Sequence, residues 1–231
     1  MKDYIKTGLI LMAYMVVTGF LVALVYVVTK PKVDEADFRS KVSAIESVLK
    51  KAGTDELLVE SVPNSAEKLN GYIYKKAEGE LFKTSNGSKV LSPLYKFVGK
   101  NQEVYVITFS GVGFGGDVVC VGAFIKQDGV LTLNKIEVIN YSNETPGLGA
   151  NISLEQVKER FSLIPGSGLE NGVKVNKDVG VIAQTEEEIK YNKSQGVVQT
   201  SDVMTGATIT PRAVANGINT VIEYLRKEGE I

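Results

Sequence analysis

The chain has 231 residues, a formal net charge of −1, no histidine and a single cysteine. That composition excludes His-based nucleophile triads, the usual zinc ligand sets and an iron–sulfur cluster held by this chain alone. No Lys/Arg cluster points to a nucleic acid, and Cys120 has no partner for an internal disulfide.

In chain order, Gly8 to Val28 is 21 residues without a charge. As a helix it spans about 30 Å, one bilayer core. A cleaved signal peptide would have a shorter apolar region and a small-residue cleavage site, and Val27-Val28-Thr29-Lys30-Pro31 offers none. Residues 1–30 therefore read as a retained single-pass anchor, ahead of one domain over 31–231. Lys2 and Lys6 precede the apolar run and Lys30 and Lys32 follow it, so the charges do not orient it. After Pro31, Asp34 is placed to cap a second helix with Phe38, Val42, Ile45, Leu49 and Ala52 as its stripe and Gly53 as its stop. Tyr72-Ile73-Tyr74 begins a strand, and Glu78 to Ser88 reads as a polar loop with a turn at Asn86-Gly87.

The clearest β region is Glu103 to Tyr141. Val104–Phe109 and Val118–Ile125 are apolar and β-branched, and Gln127-Asp128-Gly129 marks the hairpin into Val130–Tyr141. Between the first two, Gly111-Val-Gly113-Phe-Gly115-Gly116 formally contains Gly-x-Gly-x-x-Gly. A dinucleotide fingerprint opens a helix, whereas this run opens another strand. Its glycines instead let a ligand or a backbone approach. Glu144-Thr145-Pro146-Gly147-Leu148-Gly149 follows, a Pro-Gly turn with polar groups at the mouth of a sheet. Ser153 and Gln156 form a capping box for a short helix with Leu154, Val157 and Phe161 turned inward. Pro165–Gly172 reads as a glycine-rich loop and Val179–Ala183 as a short strand. Glu186-Glu187-Glu188 starts a solvated helix rather than a metal site, because consecutive carboxylates point different ways around a helix.

Asp202-Val-Met-Thr205-Gly206-Ala207-Thr208-Ile-Thr210 leads into the last helix. Pro211 suits its first position, Thr210 its N-cap, and Val214, Ile218, Val221, Ile222 and Leu225 form its apolar face. A helix start attracts a phosphate, and Gly206 and Ala207 keep the approach open. Thr208 offers a hydroxyl that no histidine can activate, so it suits attachment better than catalysis.

Asp-x-x-Thr-Gly-Ala-Thr resembles the flavinylation motif of the FMN-binding domains in bacterial membrane redox complexes. The resemblance implies that a separate flavin transferase joins FMN through its phosphate to Thr208. It makes Asp202 an element read by the transferase, and sets Thr205, Gly206, Ala207 and Thr210 around the cofactor. Glu144–Gly149 resembles a second signature of that family, which implies that Glu144, Thr145, Pro146, Gly147 and Leu148 also face the flavin. Many relatives carry a histidine two residues before this glutamate; Ser142 stands here, so no proton role is expected of the loop.

Within the family the chain is most similar to the G subunit of the Rnf complex, which moves electrons between ferredoxin and NAD⁺ and pumps sodium ions or protons. The C subunit of the sodium-pumping NADH:quinone reductase shares the motifs. A cofactor-free anchored binding or assembly module, with Thr-Gly-Ala-Thr only a helix cap, is the alternative of a different class. The expected fold is α+β, an antiparallel sheet with packed helices preceded by one transmembrane helix. The resemblance implies an electron-transfer flavoprotein subunit of a translocase, not catalytic alone and without a metal of its own. It would sit in the bacterial cell membrane beside other subunits, with its main domain on the extracytoplasmic side.

Overall fold

The computed structural model describes residues 2–63, 66–99 and 101–231 and divides into two compact units, Met1–Ser40 and Lys41–Ile231. Helix α1 runs over Lys2–Val48 with Pro31 inside it, and its N-terminal part is long and apolar enough to cross a membrane. The separate helix expected after Pro31, capped by Asp34, is thus absent. Proline removes one i→i−4 bond, and the bonds on either side carry the helix past that gap. The C-terminal turns of α1 belong to the second unit, where Ala44, Ile45, Val48 and Leu49 are buried.

The second unit is built on six antiparallel strands: β1 (Ile73–Lys75), β2 (Glu80–Lys83), β3 (Lys89–Val98), β4 (Glu103–Val112), β5 (Asp117–Gln127) and β6 (Val130–Asn140). Their order is β1-β3-β4-β5-β6, with β2 also paired to β3. A short helix α2 (Ala66–Asn70) precedes them. After β6 come a 3-10 turn at Gly149–Ser153, α3 (Glu155–Lys158), α4 (Gly166–Glu170), α5 (Asn176–Val179), α6 (Glu186–Ser194) and α7 (Ile209–Lys227). Two short strands, β7 (Lys174–Val175) and β8 (Val197–Val198), pair in parallel among these helices.

The period of two in β4 explains why the sheet is the middle layer. Tyr105, Ile107 and Phe109 face a core completed by Val214, Ile218, Val221 and Leu225 of α7. Val104 and Val106 face the opposite core, closed by Ala44, Ile45, Val48 and Leu49. A strand buried on both faces reads as an unbroken apolar run, as Val104–Phe109 does. Asn134, itself buried, ties the layers at one end by donating to the carbonyls of Val48 (2.9 Å) and Lys50 (2.8 Å).

The structure differs from the sequence-based expectation in several short elements. β3 is not expected from the residues alone, because Pro93 interrupts it; the Ser92–Pro93 bond is cis and the register shifts between Leu91 and Tyr95. Glu78–Ser88 contains β2, and Pro165–Gly172 contains α4. Val179–Ala183 forms no strand, since Val179 ends α5 and the rest is a loop. The Ser153–Gln156 capping box does not form. Ser153 Oγ donates to the Ala150 carbonyl at 2.9 Å, and Leu154 is the exposed N-cap of α3.

Two glycines let α7 lie close on the sheet. A Cβ at Gly111 would stand 1.9 Å from the Ala213 carbonyl oxygen, and one at Gly217 would stand 2.5 Å from the Phe109 ring. Replacing Gly111 by Ala forces helix and strand apart, with an expected loss of about 3 kcal/mol, at the top of the range for overpacking. Thermal unfolding of the full chain in detergent checks this, and an unchanged midpoint contradicts it.

Candidate functional site

The close seat of α7 brings its first turn to the end of the sheet where β4 turns into β5. There the Gly113–Gly116 connection closes with a 2.8 Å bond from the Gly113 amide to the Gly116 carbonyl. Glu144 lies against it, only 5% exposed. Its Oε1 accepts from the Phe114 amide at 2.8 Å, and its Oε2 accepts from the Thr210 hydroxyl at 2.5 Å. The carboxylate fits a slot that only glycine can line. A Cβ at Gly113 would be 2.1 Å from Oε1, and one at Gly149 would be 2.3 Å from Oε2. One buried side chain therefore joins the glycine hairpin, the 144–149 loop and the start of α7.

The helix begins earlier than its proline suggests. Ile209 is its first residue and Thr208 its N-cap, so Pro211 occupies the third helical position. Proline is tolerated there because the first N–H groups of a helix have no internal partner. Thr210 is not the cap; its hydroxyl is spent on Glu144. The Thr208 carbonyl accepts the first helical bond, from the Arg212 amide at 3.3 Å, while its hydroxyl makes no capping bond. The expected phosphate-attracting amides at this helix start are those of Ile209 and Thr210, Pro211 having none.

Glu144, Thr145, Leu148, Gly206, Ala207, Thr208 and Thr210 all line one pocket of about 210 Å³, together with Phe114, Gly149 and Ile209. Gly206, at φ +78°, lets the two loops touch, and a Cβ on it would be 3.1 Å from Leu148 Cδ2. Thr205, Pro146 and Gly147 are exposed and lie outside the lining. Asp202 also lies outside it, paired with Arg160 at 2.6 Å. Nearby, Lys193 Nζ donates to the Ser162 carbonyl at 2.7 Å, and burial, with Arg160 adding to it, pushes its pKa down to about 8. Phe114 and Ile209 are additions that sequence reasoning missed. Phe114 is 69% exposed, and the signal for it was a large aromatic placed among four glycines.

The residues fit a flavin phosphate and ring. A free hydroxyl and unpaired helix amides stand at one side of the pocket, and Phe114, Leu148 and Ile209 provide apolar walls. Sites that enclose a drug-sized ligand measure roughly 300–1,000 Å³, so this pocket holds one part of such a molecule and leaves the rest open.

Residues 113–223 match the family model of the FMN-binding domain. The chain is 30% identical over 227 residues to the G subunit of the Na⁺-translocating ferredoxin:NAD⁺ oxidoreductase complex of Acetobacterium woodii, covering 96% of this chain and 91% of that one. It is 28% identical over 213 residues to the proton-translocating counterpart of Clostridium ljungdahlii, covering 90% and 84%. A crystal structure assigned as the RnfG subunit of an electron transport complex from Thermotoga maritima superposes with a TM-score of 0.61 at 34% identity, covering 82% of this chain and 97% of that one. The chain thus carries an FMN-binding domain on an antiparallel sheet behind an apolar N-terminal helix. It belongs to the family of G subunits of the Rnf-type ion-translocating oxidoreductase complexes.

Two outcomes test the geometry. Glu144→Ala leaves the Phe114 amide and the Thr210 hydroxyl unpaired in a buried slot, an expected cost of about 3 kcal/mol. Glu144→Gln retains an acceptor and loses less; equal melting points for the two variants contradict the assignment. On the far side of α7's first turn, Arg212 Nε and Nη2 donate to both Asp178 oxygens at 2.8 and 2.5 Å. That contact lowers the Asp178 pKa from its ordinary 3.8. The stabilisation is present above the ordinary value and is lost as pH falls through the lowered one. With both groups partly exposed, Asp178→Asn is expected to remove no more than about 1 kcal/mol above pH 4 and to flatten the acid limb below it, read from melts against pH.

Proposed function

We propose that this protein is the flavin-carrying electron-transfer subunit of an Rnf-type membrane complex, with FMN joined by a phosphoester to Thr208. The observation that carries the reading is the pocket that both loops line, in which the Thr208 hydroxyl is unengaged at a helix start. Membership in the FMN-binding family supports the cofactor. The match over 91% of an Rnf-type G subunit favours that complex over the sodium-pumping NADH:quinone reductase, whose C subunit shares the motifs, and over a cofactor-free module.

Forming the ester requires the Thr208 hydroxyl to lose its proton as its oxygen takes an activated flavin phosphate, whose leaving group departs. Among the lining residues only Glu144 is a carboxylate, and both its oxygens are occupied. The lining thus offers no unengaged carboxylate and no imidazole to act as a base, which supports a separate transferase. Asp202, turned outward in its pair with Arg160, is exposed for recognition by that enzyme. Once attached, FMN supplies the redox chemistry. The chain's own part is to hold the phosphodiester charge at the start of α7, worth roughly 0.3–1 kcal/mol when exposed. Thr145 offers a hydroxyl in the pocket lining, and Phe114, Leu148 and Ile209 are the apolar residues there that would hold the ring. The apolar run in the N-terminal part of α1 supports a single-pass anchor in the lipid bilayer over residues 1–30, and the family resemblance is the ground for setting the domain on the extracytoplasmic side.

Intact mass of the chain produced with the transferase is expected to show one FMN less one water. Thr208→Val is expected to abolish the gain, with Thr205 and Thr210 unlabelled; label retained on Thr208→Val refutes the assignment. Phe114→Ala is expected to keep the label and shift the flavin emission maximum, because water replaces an apolar wall of the pocket. Unchanged emission contradicts the placement of Phe114 beside the ring.

A further inference from the structure

The loop after α5 holds apolar side chains out in water. Ile182 is 67% exposed, and Val179 and Val181 are exposed beside it. Loose loops do this at random, but this one is pinned. Asn176, 1% exposed, donates to the Val181 carbonyl at 2.9 Å and to Ser201 Oγ at 2.8 Å, and accepts from the Thr200 amide at 3.1 Å. Gln199, 4% exposed, accepts from the Ala183 amide at 2.6 Å and donates to the Ala183 carbonyl at 3.1 Å. Two buried polar side chains thus fix the backbone on both sides of Ile182.

Helix α6 completes the feature. It has no buried residue, and nine residues alone do not sustain a helix in water. Its start is held by Thr185 Oγ1, which accepts from the Glu188 amide at 3.2 Å, and by Glu188, which accepts from the Gln184 amide at 2.6 Å. Tyr191 on this helix is 66% exposed. Val181, Ile182 and Tyr191 line one open hollow of about 440 Å³ with Glu187 and Glu188, and no cationic side chain is in that lining. Lys190, on the same helix, does not contribute to it.

We propose that this hollow docks a neighbouring protein subunit of the membrane complex, through a segment that presents an apolar side chain flanked by lysine or arginine. The apolar floor with two carboxylates and no cation in its lining selects such a segment by charge complementarity, and the same carboxylates repel an anionic lipid surface. A preset loop lowers the ordering cost of docking, and an exposed tyrosine and isoleucine supply apolar contact area. The hollow is also tied to the flavin end of the molecule. Asn176 bonds the Thr200–Ser201 segment that leads into Asp202, and Asp178 holds Arg212 in the first turn of α7. A subunit seated here contacts a loop that Asn176 bonds to the segment leading towards Thr208. The inference rests on membership in a complex and adds the surface used.

The test uses the full chain in membranes that contain the whole complex, with Tyr191 replaced by the photo-cross-linker p-benzoylphenylalanine. The expected product is a cross-link to a peptide of another subunit of the complex, identified by mass spectrometry. Ile182→Asp and Glu187→Lys are each expected to lower recovery of that subunit with the tagged chain at least ten-fold. Both variants should keep the melting point and the FMN label of the unaltered chain. Cross-links only to a second copy of this chain or to lipid overturn the proposal, as does full recovery of the complex in both variants. Absence of FMN from the unaltered chain would instead count against the functional reading, so the two failures are distinguishable.

Discussion

The buried carboxylate of Glu144 is the contact on which this end of the domain depends. It bonds an amide in the β4–β5 connection and a hydroxyl in the first turn of α7, from a loop of its own. Glycines at 113 and 149 exist there because any Cβ would occupy the carboxylate's place. Burying a carboxylate is costly unless its oxygens are bonded. Here both are, so the cost becomes a requirement that three separate stretches keep one arrangement. Losing any one partner penalises the other two.

That arrangement also limits the chemistry the pocket lining itself can offer. The one carboxylate in the lining is consumed by structure, the chain has no histidine, and the remaining polar groups are hydroxyls and helix amides. Such a set can hold an anion and orient a ring. The openness of the pocket fits a carrier, since a cofactor that exchanges electrons between proteins needs an accessible edge.

Elsewhere the domain uses polar side chains to secure its margins. The Tyr105 hydroxyl lies 2.9 Å from a Glu103 oxygen and 2.8 Å from a Glu230 oxygen, its single proton shared between the two, and Tyr74 also bonds Glu230, so the C-terminal segment is fastened across β1 and β4. Asn134 fastens the end of α1 to β6, and Asn176 and Gln199 hold the backbone at Val181, Ala183, Thr200 and Ser201. Each uses the side chain of one element to satisfy groups of another, so the thin elements between β6 and α7 persist without a large core of their own.

Long periodic elements were legible from the residues alone. The uncharged run over 8–28, the β-branched strands β4 to β6 and the apolar face of α7 each repeat one signal often enough to outweigh local exceptions. The two short motifs, Asp202–Thr208 and Glu144–Gly149, could be read because each lies in adjacent positions, and the fold brings residues of both to one pocket. What only the tertiary structure decided is everything that depends on partners far apart in the chain. β3 forms despite Pro93 because β4 and the edge strands pair with it, and α7 starts at Ile209 because Thr210 is drawn to a carboxylate 66 positions away. Phe114 belongs to the pocket because its amide is held by that same carboxylate. Local propensity is written in neighbouring residues, whereas burial and hydrogen bonding between distant segments exist only after the chain has folded, and they placed the site.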